Sequence, residues 1–94
     1  MKNDCEHILK QAALAQEEGR LADAEKAYLE ILSEKPDSGS VLNALGTVFL
    51  DQSQPDKAKK YFEKAANLNP PYLSACYNLG RIKQMQRDDK GAIN

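Results

Sequence analysis

Leu45-Gly46 recurs as Leu79-Gly80, Ala24 recurs as Ala58 and Ala92, and Pro36 recurs as Pro70, each time at a spacing of 34 residues. A fixed period of that size marks a stacked repeat, in which each unit leaves an apolar face open that its neighbour covers. Repeated positions then do the same structural job in every copy. The 94 residues hold two full periods and part of a third. A globule this short buries only a modest core, whereas repeats share their interfaces serially along the stack. Such stacks are surfaces for holding other proteins, so the period points to a class of activity and leaves the partner unspecified.

Apolar residues at helical spacing predict five helices and the start of a sixth. The first runs from Asp4 to about Glu18 on Ile8, Ala12 and Ala15 and stops at Gly19, which accepts the left-handed conformation that ends a helix. The second, Leu21 to about Ser33, buries Ala24, Tyr28, Ile31 and Leu32 and is closed by Pro36. Asp37 or Ser38 then offers an oxygen to the opening amides of the third helix. That helix runs from Gly39 to Gln52 on Val41, Leu42, Leu45, Val48 and Phe49. Gly46 inside it costs about 1 kcal/mol of helix propensity against Ala, which calls for a neighbour too close to admit a side chain. The fourth opens with Pro55 and reaches about Asn67 on Ala58, Phe62, Ala65 and Ala66. The fifth, Tyr72 to about Gln86, turns Cys76, Leu79, Ile82 and Met85 inward, and a sixth is expected from Asp88 with Ala92 and Ile93 in register before Asn94.

These residues resemble the tetratricopeptide repeat, whose pattern runs W-x2-L-G-x2-Y, then A-x3-F, then P. The second unit matches most fully, with Leu42, Leu45-Gly46, Phe49, Ala58-x3-Phe62 and Pro70. The first keeps Ile8, Ala24-x3-Tyr28 and Pro36 but has Gln11-Ala12 for Leu-Gly and Ala15 for the aromatic. The third keeps Cys76, Leu79-Gly80 and Ala92 and puts Lys83 at the aromatic position. The resemblance implies an all-α domain over residues 1–94: helix-turn-helix repeats stacked as a right-handed α-solenoid of about two and a half units, about 5–38, 39–72 and 73–94. It also implies that the first helix of each pair lines a concave groove. Gln11 and Ala15 suit a polar cap at the start, whereas Ile82, Met85 and Ile93 suggest further protein after the end.

Charge and composition narrow the activity. The formal net charge is −1, which invites neither nucleic acid nor an anionic membrane. Lys57, Lys59, Lys60 and Lys64 form the one basic concentration, but Asp56 and Glu63 interrupt it and it reads as a solvated outer face. Nothing resembles a membrane span, and the Met1-Lys2-Asn3-Asp4-Cys5 start lacks a signal's apolar run, so the expected location is cytoplasmic. Cys5 and Cys76 read as free thiols, Cys76 as a small core residue. Glu17, Glu18, Asp23 and Glu25 spread over a helix end and a helix start, as solvating charges do, and no metal or other cofactor is expected. With His7 as the single histidine and no phosphate-cradling glycine loop, no catalytic constellation is expected.

What remains is the groove. The family's inner register selects Lys10, Asn43, Thr47, Leu50, Tyr77, Asn78 and Arg81 as the partner-binding residues. Asn43 and Asn78 suit the backbone of an extended peptide, Arg81 a carboxylate, and Tyr77 and Leu50 apolar side chains. The lysine and asparagine clamp with which some family members grip acidic chaperone tails is not reproduced, since Leu9, Ala13, Ala44 and Ser74 stand where it needs basic or amide groups. The reading is a non-catalytic module for a protein or peptide. Its alternatives are an N-terminal substrate- or partner-positioning segment of a larger enzyme, such as a transferase, and a self-assembly scaffold dimerising through the uncapped C-terminal end.

Overall fold

Each apolar stripe at helical spacing is a helix in the computed structural model of the chain, which describes residues 5–93, with side chains through residue 87. In chain order these are α1 (Cys5–Glu17), α2 (Leu21–Glu34), α3 (Gly39–Asp51), α4 (Pro55–Ala66) and α5 (Leu73–Ile93), with no strand among the described residues. Consecutive helices pack on one another and α5 also touches α3, which makes an elongated stack of 57 × 31 × 16 Å. The ends of α1 to α4 and the start of α5 fall within about a residue of those expected, whereas α5 ends at Ile93 instead of about Gln86; Asp4, Asn94 and the side chains of Ala92 and Ile93 lie outside the described residues.

Two turns repeat the same hydrogen bonds one period apart. At the end of α1, Gly19 at φ 80° donates to the Gln16 carbonyl and Arg20 donates to the Ala15 carbonyl. At the end of α3, Ser53 at φ 61° donates to the Leu50 carbonyl and Gln54 to the Phe49 carbonyl. This is the Schellman closure, which satisfies the last carbonyls of a helix and reverses the chain. Its third occurrence would fall on Arg87, a good helix former, and there the chain does not turn: α5 runs unbroken to Ile93. Among the described residues no separate sixth helix follows, because Gln86 to Lys90 supply neither a left-handed residue nor a proline to stop the fifth.

Between the turns, α3 and α4 form the tightest contact in the stack. A Cβ on Gly46 would stand 2.5 Å from Phe62 Cε1 and 2.7 Å from its Cζ, so the fully buried ring occupies the place of the missing side chain. Phe62 and Leu45 are fully buried beside it, and Ala24 and Ala58, one period apart, are likewise inaccessible. Gly80 repeats the sequence but not the surroundings, with nothing within 4 Å of a Cβ placed there. The helix that would cover it has not folded back. For the same reason Cys76 is exposed rather than buried, Met85 is 48% exposed, and Leu79 is half-buried, while Ala75 and Ile82 face the stack. Leu32 and Ala66 are also only half-buried. Neither Asp37 nor Ser38 caps α3 through its side chain; only the Ser38 carbonyl engages, accepting from the Leu42 amide.

Urea unfolding tests both constraints. Ser53→Gly should stabilise the chain by about 1 kcal/mol by relieving a left-handed non-glycine, and Gly19→Ala should destabilise it by a similar amount. Gly46→Ala should destabilise by about 1–2 kcal/mol, overpacking against Phe62 outweighing the gain in helix propensity.

Candidate functional site

The expected groove residues lie on α1, α3 and α5, and the structure uses several of them to join those helices. Thr47 takes part in a relay across three elements. The buried Tyr28 hydroxyl on α2 donates to Gln16 Oε1 at 3.1 Å, Gln16 Nε2 on α1 donates to Thr47 Oγ1 at 2.8 Å, and Thr47 Oγ1 donates to the Ala44 carbonyl at 2.6 Å. A buried phenol needs such a partner, since leaving it unmet costs roughly 1–3 kcal/mol. Gln16 is thus a hub between units; the inner register of the repeat places it on the groove side, but it was not among the seven residues expected to bind a partner. The signal for it was Tyr28, an inward tyrosine where the second unit has Phe62.

Asn43 and Asn78 meet across the next interface, where Asn78 Nδ2 donates to Asn43 Oδ1 at 2.9 Å. Each amide has spent one hydrogen bond, which leaves the Asn43 amide hydrogens and the Asn78 carbonyl oxygen for a ligand. Next to this pair on α5, the Arg81 guanidinium lies over the Tyr77 ring at 5.9 Å, and Tyr77 is 69% exposed. Leu50 is half-buried and packs against the core, and Lys10 is exposed on α1. Asn43, Asn78, Tyr77 and Arg81 therefore form one neighbourhood over α3 and α5, Thr47 belongs to the joint between α1 and α3, and Lys10 stands apart on α1.

On the α3–α4 pair the lysines have structural company. Lys57 Nζ lies 5.6 Å from the Phe49 ring centre and Lys64 Nζ 5.2 Å from that of Tyr61, while the two rings stack at 5.4 Å. Gln52 Nε2 donates to Glu25 Oε1 at 3.2 Å and ties α2 to the end of α3. At the start of α2, the Arg20 guanidinium bonds Glu18 at 2.8 Å and Asp23 at 3.2 Å. The hydrogen bond to Glu18, followed by that carboxylate's charge, raises the Arg20 pKa further. The acidic turn thus forms ion pairs, and no group of three or more metal-ligating side chains occurs among the described residues.

The family model of the tetratricopeptide repeat matches residues 9–72, and the chain belongs to that family. It is also 33% identical over 75 residues to the uncharacterized protein ycf37 of Pyropia yezoensis. That alignment covers 80% of this chain and 42% of the relative, so the chain spans less than half the length of the protein it matches. Tetratricopeptide repeats generally bind proteins or peptides. No helix among the described residues is long and apolar enough to cross a membrane.

Burial raises the Tyr28 pKa above the ordinary phenol range. The folded state then holds a proton that the unfolded chain releases first, so this contribution is complete below about pH 10 and is lost as pH rises through the folded pKa. Tyr28→Phe should cost about 1 kcal/mol at neutral pH and flatten the alkaline loss of stability, as followed by urea unfolding at increasing pH.

Proposed function

We propose that the chain is a non-catalytic module that holds a peptide segment of a partner protein across α1, α3 and α5. The supporting observation is the Asn43–Asn78 pair, which bridges two repeats and keeps a donor and an acceptor for the main chain of an extended ligand. Arg81 provides the cation for a ligand carboxylate, and Tyr77 an exposed ring for an apolar side chain. Thr47 and Leu50 act as supports: the first joins α1 to α3, and the second packs into the core. Lys10 extends the same face at its other end.

Affinity capture followed by mass spectrometry tests this reading. Asn43→Ala with Arg81→Ala should reduce recovery of the specific partner about tenfold or more, since a hydrogen bond to a charged group contributes roughly 1.5–3 kcal/mol. Far-UV circular dichroism should show the helices intact, and unchanged recovery by the folded variant would rule out the groove.

Two observations favour further readings. The alignment covers only 42% of a longer relative, which suits repeats that position a substrate for chemistry elsewhere in a larger enzyme such as a transferase. The coding sequence flanking both ends decides that. The exposed Cys76, Gly80 and Lys83 of α5 leave a helix face open, which suits self-association.

A further inference from the structure

Among the described residues, the first helix pair and α5 each leave a face uncovered, and the two regions carry opposite net charge. On α3, Leu42, Leu45, Gly46 and Phe49 are buried, with the Phe62 ring of α4 seated on Gly46. Their equivalents one period later are Cys76, Leu79, Gly80 and Lys83, of which all but the half-buried Leu79 are exposed. In the first helix pair, Leu14 is 50% exposed, although Val48 and Ile82 at the equivalent positions are buried. Leu14 sits in a shallow groove between the first two helices, together with Gln11, Arg20, Asp23 and Ala27.

Residues 5–54 contain nine carboxylates and four cationic side chains, whereas residues 55–87 contain two and seven. Along α5 to Arg87 there is no carboxylate; Asp88, Asp89 and Lys90 follow. Lys83 and Arg87 flank the empty place beside Gly80. Two α5 faces brought together would set these cations against their own copies. The first helix pair instead offers the exposed carboxylates Glu34 and Asp23, the latter shared with Arg20 at 3.2 Å, and the apolar Leu14. Opposite charges steer the second arrangement and like charges oppose the first.

We infer that the open face of α5 is covered by the α1–α2 end of a second copy, head to tail, with Leu14 over Gly80 and Asp23 and Glu34 facing Lys83 and Arg87. This rests on the self-association reading and adds its orientation. A head-to-tail contact uses different surfaces on the two copies and leaves one of each free, so assembly continues past the dimer.

Sedimentation of the full chain from micromolar to millimolar concentration, at low and at molar salt, reads this directly. The wild type should grow beyond a dimer, with association weakened about tenfold or more by molar salt. Lys83→Glu/Arg87→Glu and Asp23→Lys/Glu34→Lys should each be monomeric alone, with unchanged helical dichroism, and an equimolar mixture of the two should associate as the wild type does. Leu14→Ser, which alters no charge, should weaken association at both salts. Neither charge-reversed pair includes a proposed groove residue. A wild type that stays monomeric at millimolar concentration overturns self-association and orientation together. Association that stops at a dimer, or that survives Asp23→Lys/Glu34→Lys unchanged, means α5 pairs with itself and overturns the orientation alone. Association that survives Lys83→Glu/Arg87→Glu removes α5 from the contact.

Discussion

The Phe62 ring seated on Gly46 is the contact on which the rest of the stack depends. An α-helix approaches another most closely where a side chain is missing, and the absent Cβ of Gly46 lets the ring enter α3 at a depth that any other residue would block. That depth sets the spacing of α3 and α4, and with it the height at which α5 lands on α4. The first pair achieves a related fit with different residues: Ala12 and Tyr28 hold the equivalent positions, both are buried, and the phenol requires a partner that a phenylalanine does not. The relay through Gln16 and Thr47 follows from that one hydroxyl.

Polar side chains join the units where apolar ones only press them together. Tyr28, Gln16 and Thr47 connect three helices, Glu25 and Gln52 connect two, and Asn43 with Asn78 bridges the next interface. Their geometric requirements are narrower than those of apolar contacts, so they select one register among those that apolar packing would permit. No buried side-chain nitrogen or oxygen among the described residues lacks a partner. The face proposed for a ligand is therefore built on side chains already committed to the fold, and only their remaining donors and acceptors are offered outward.

Much of this was legible in the residues. The 34-residue period, Gly19 as a helix stop, Pro55 in a first turn and the requirement of Gly46 for a close neighbour are local or periodic signals, and each corresponds to an observed feature. The site was less legible. The inner register marked Asn43, Thr47 and Asn78 as facing a groove, yet no pattern within one unit states that Thr47 will be taken by Gln16 or that the asparagines will meet, because those partners are 31 and 35 residues apart. Ser53 was missed as a turn residue because serine rarely takes a left-handed conformation; the hydrogen bonds of Ser53 and Gln54 to the last carbonyls of α3 accompany it there.

The sequence by itself determined the helices, their period and the pairing of neighbours, because apolar spacing and turn chemistry act over a few residues and repeat in every copy. Tertiary structure alone decided which copies of the motif are buried. Leu79-Gly80 and Ala92 follow the repeat, but a fold-back needs a chain reversal near Arg87, and propensity there favours continuing the helix. Gly80 thus has the motif's identity without its surroundings, since burial is a property of two surfaces and a motif specifies only one.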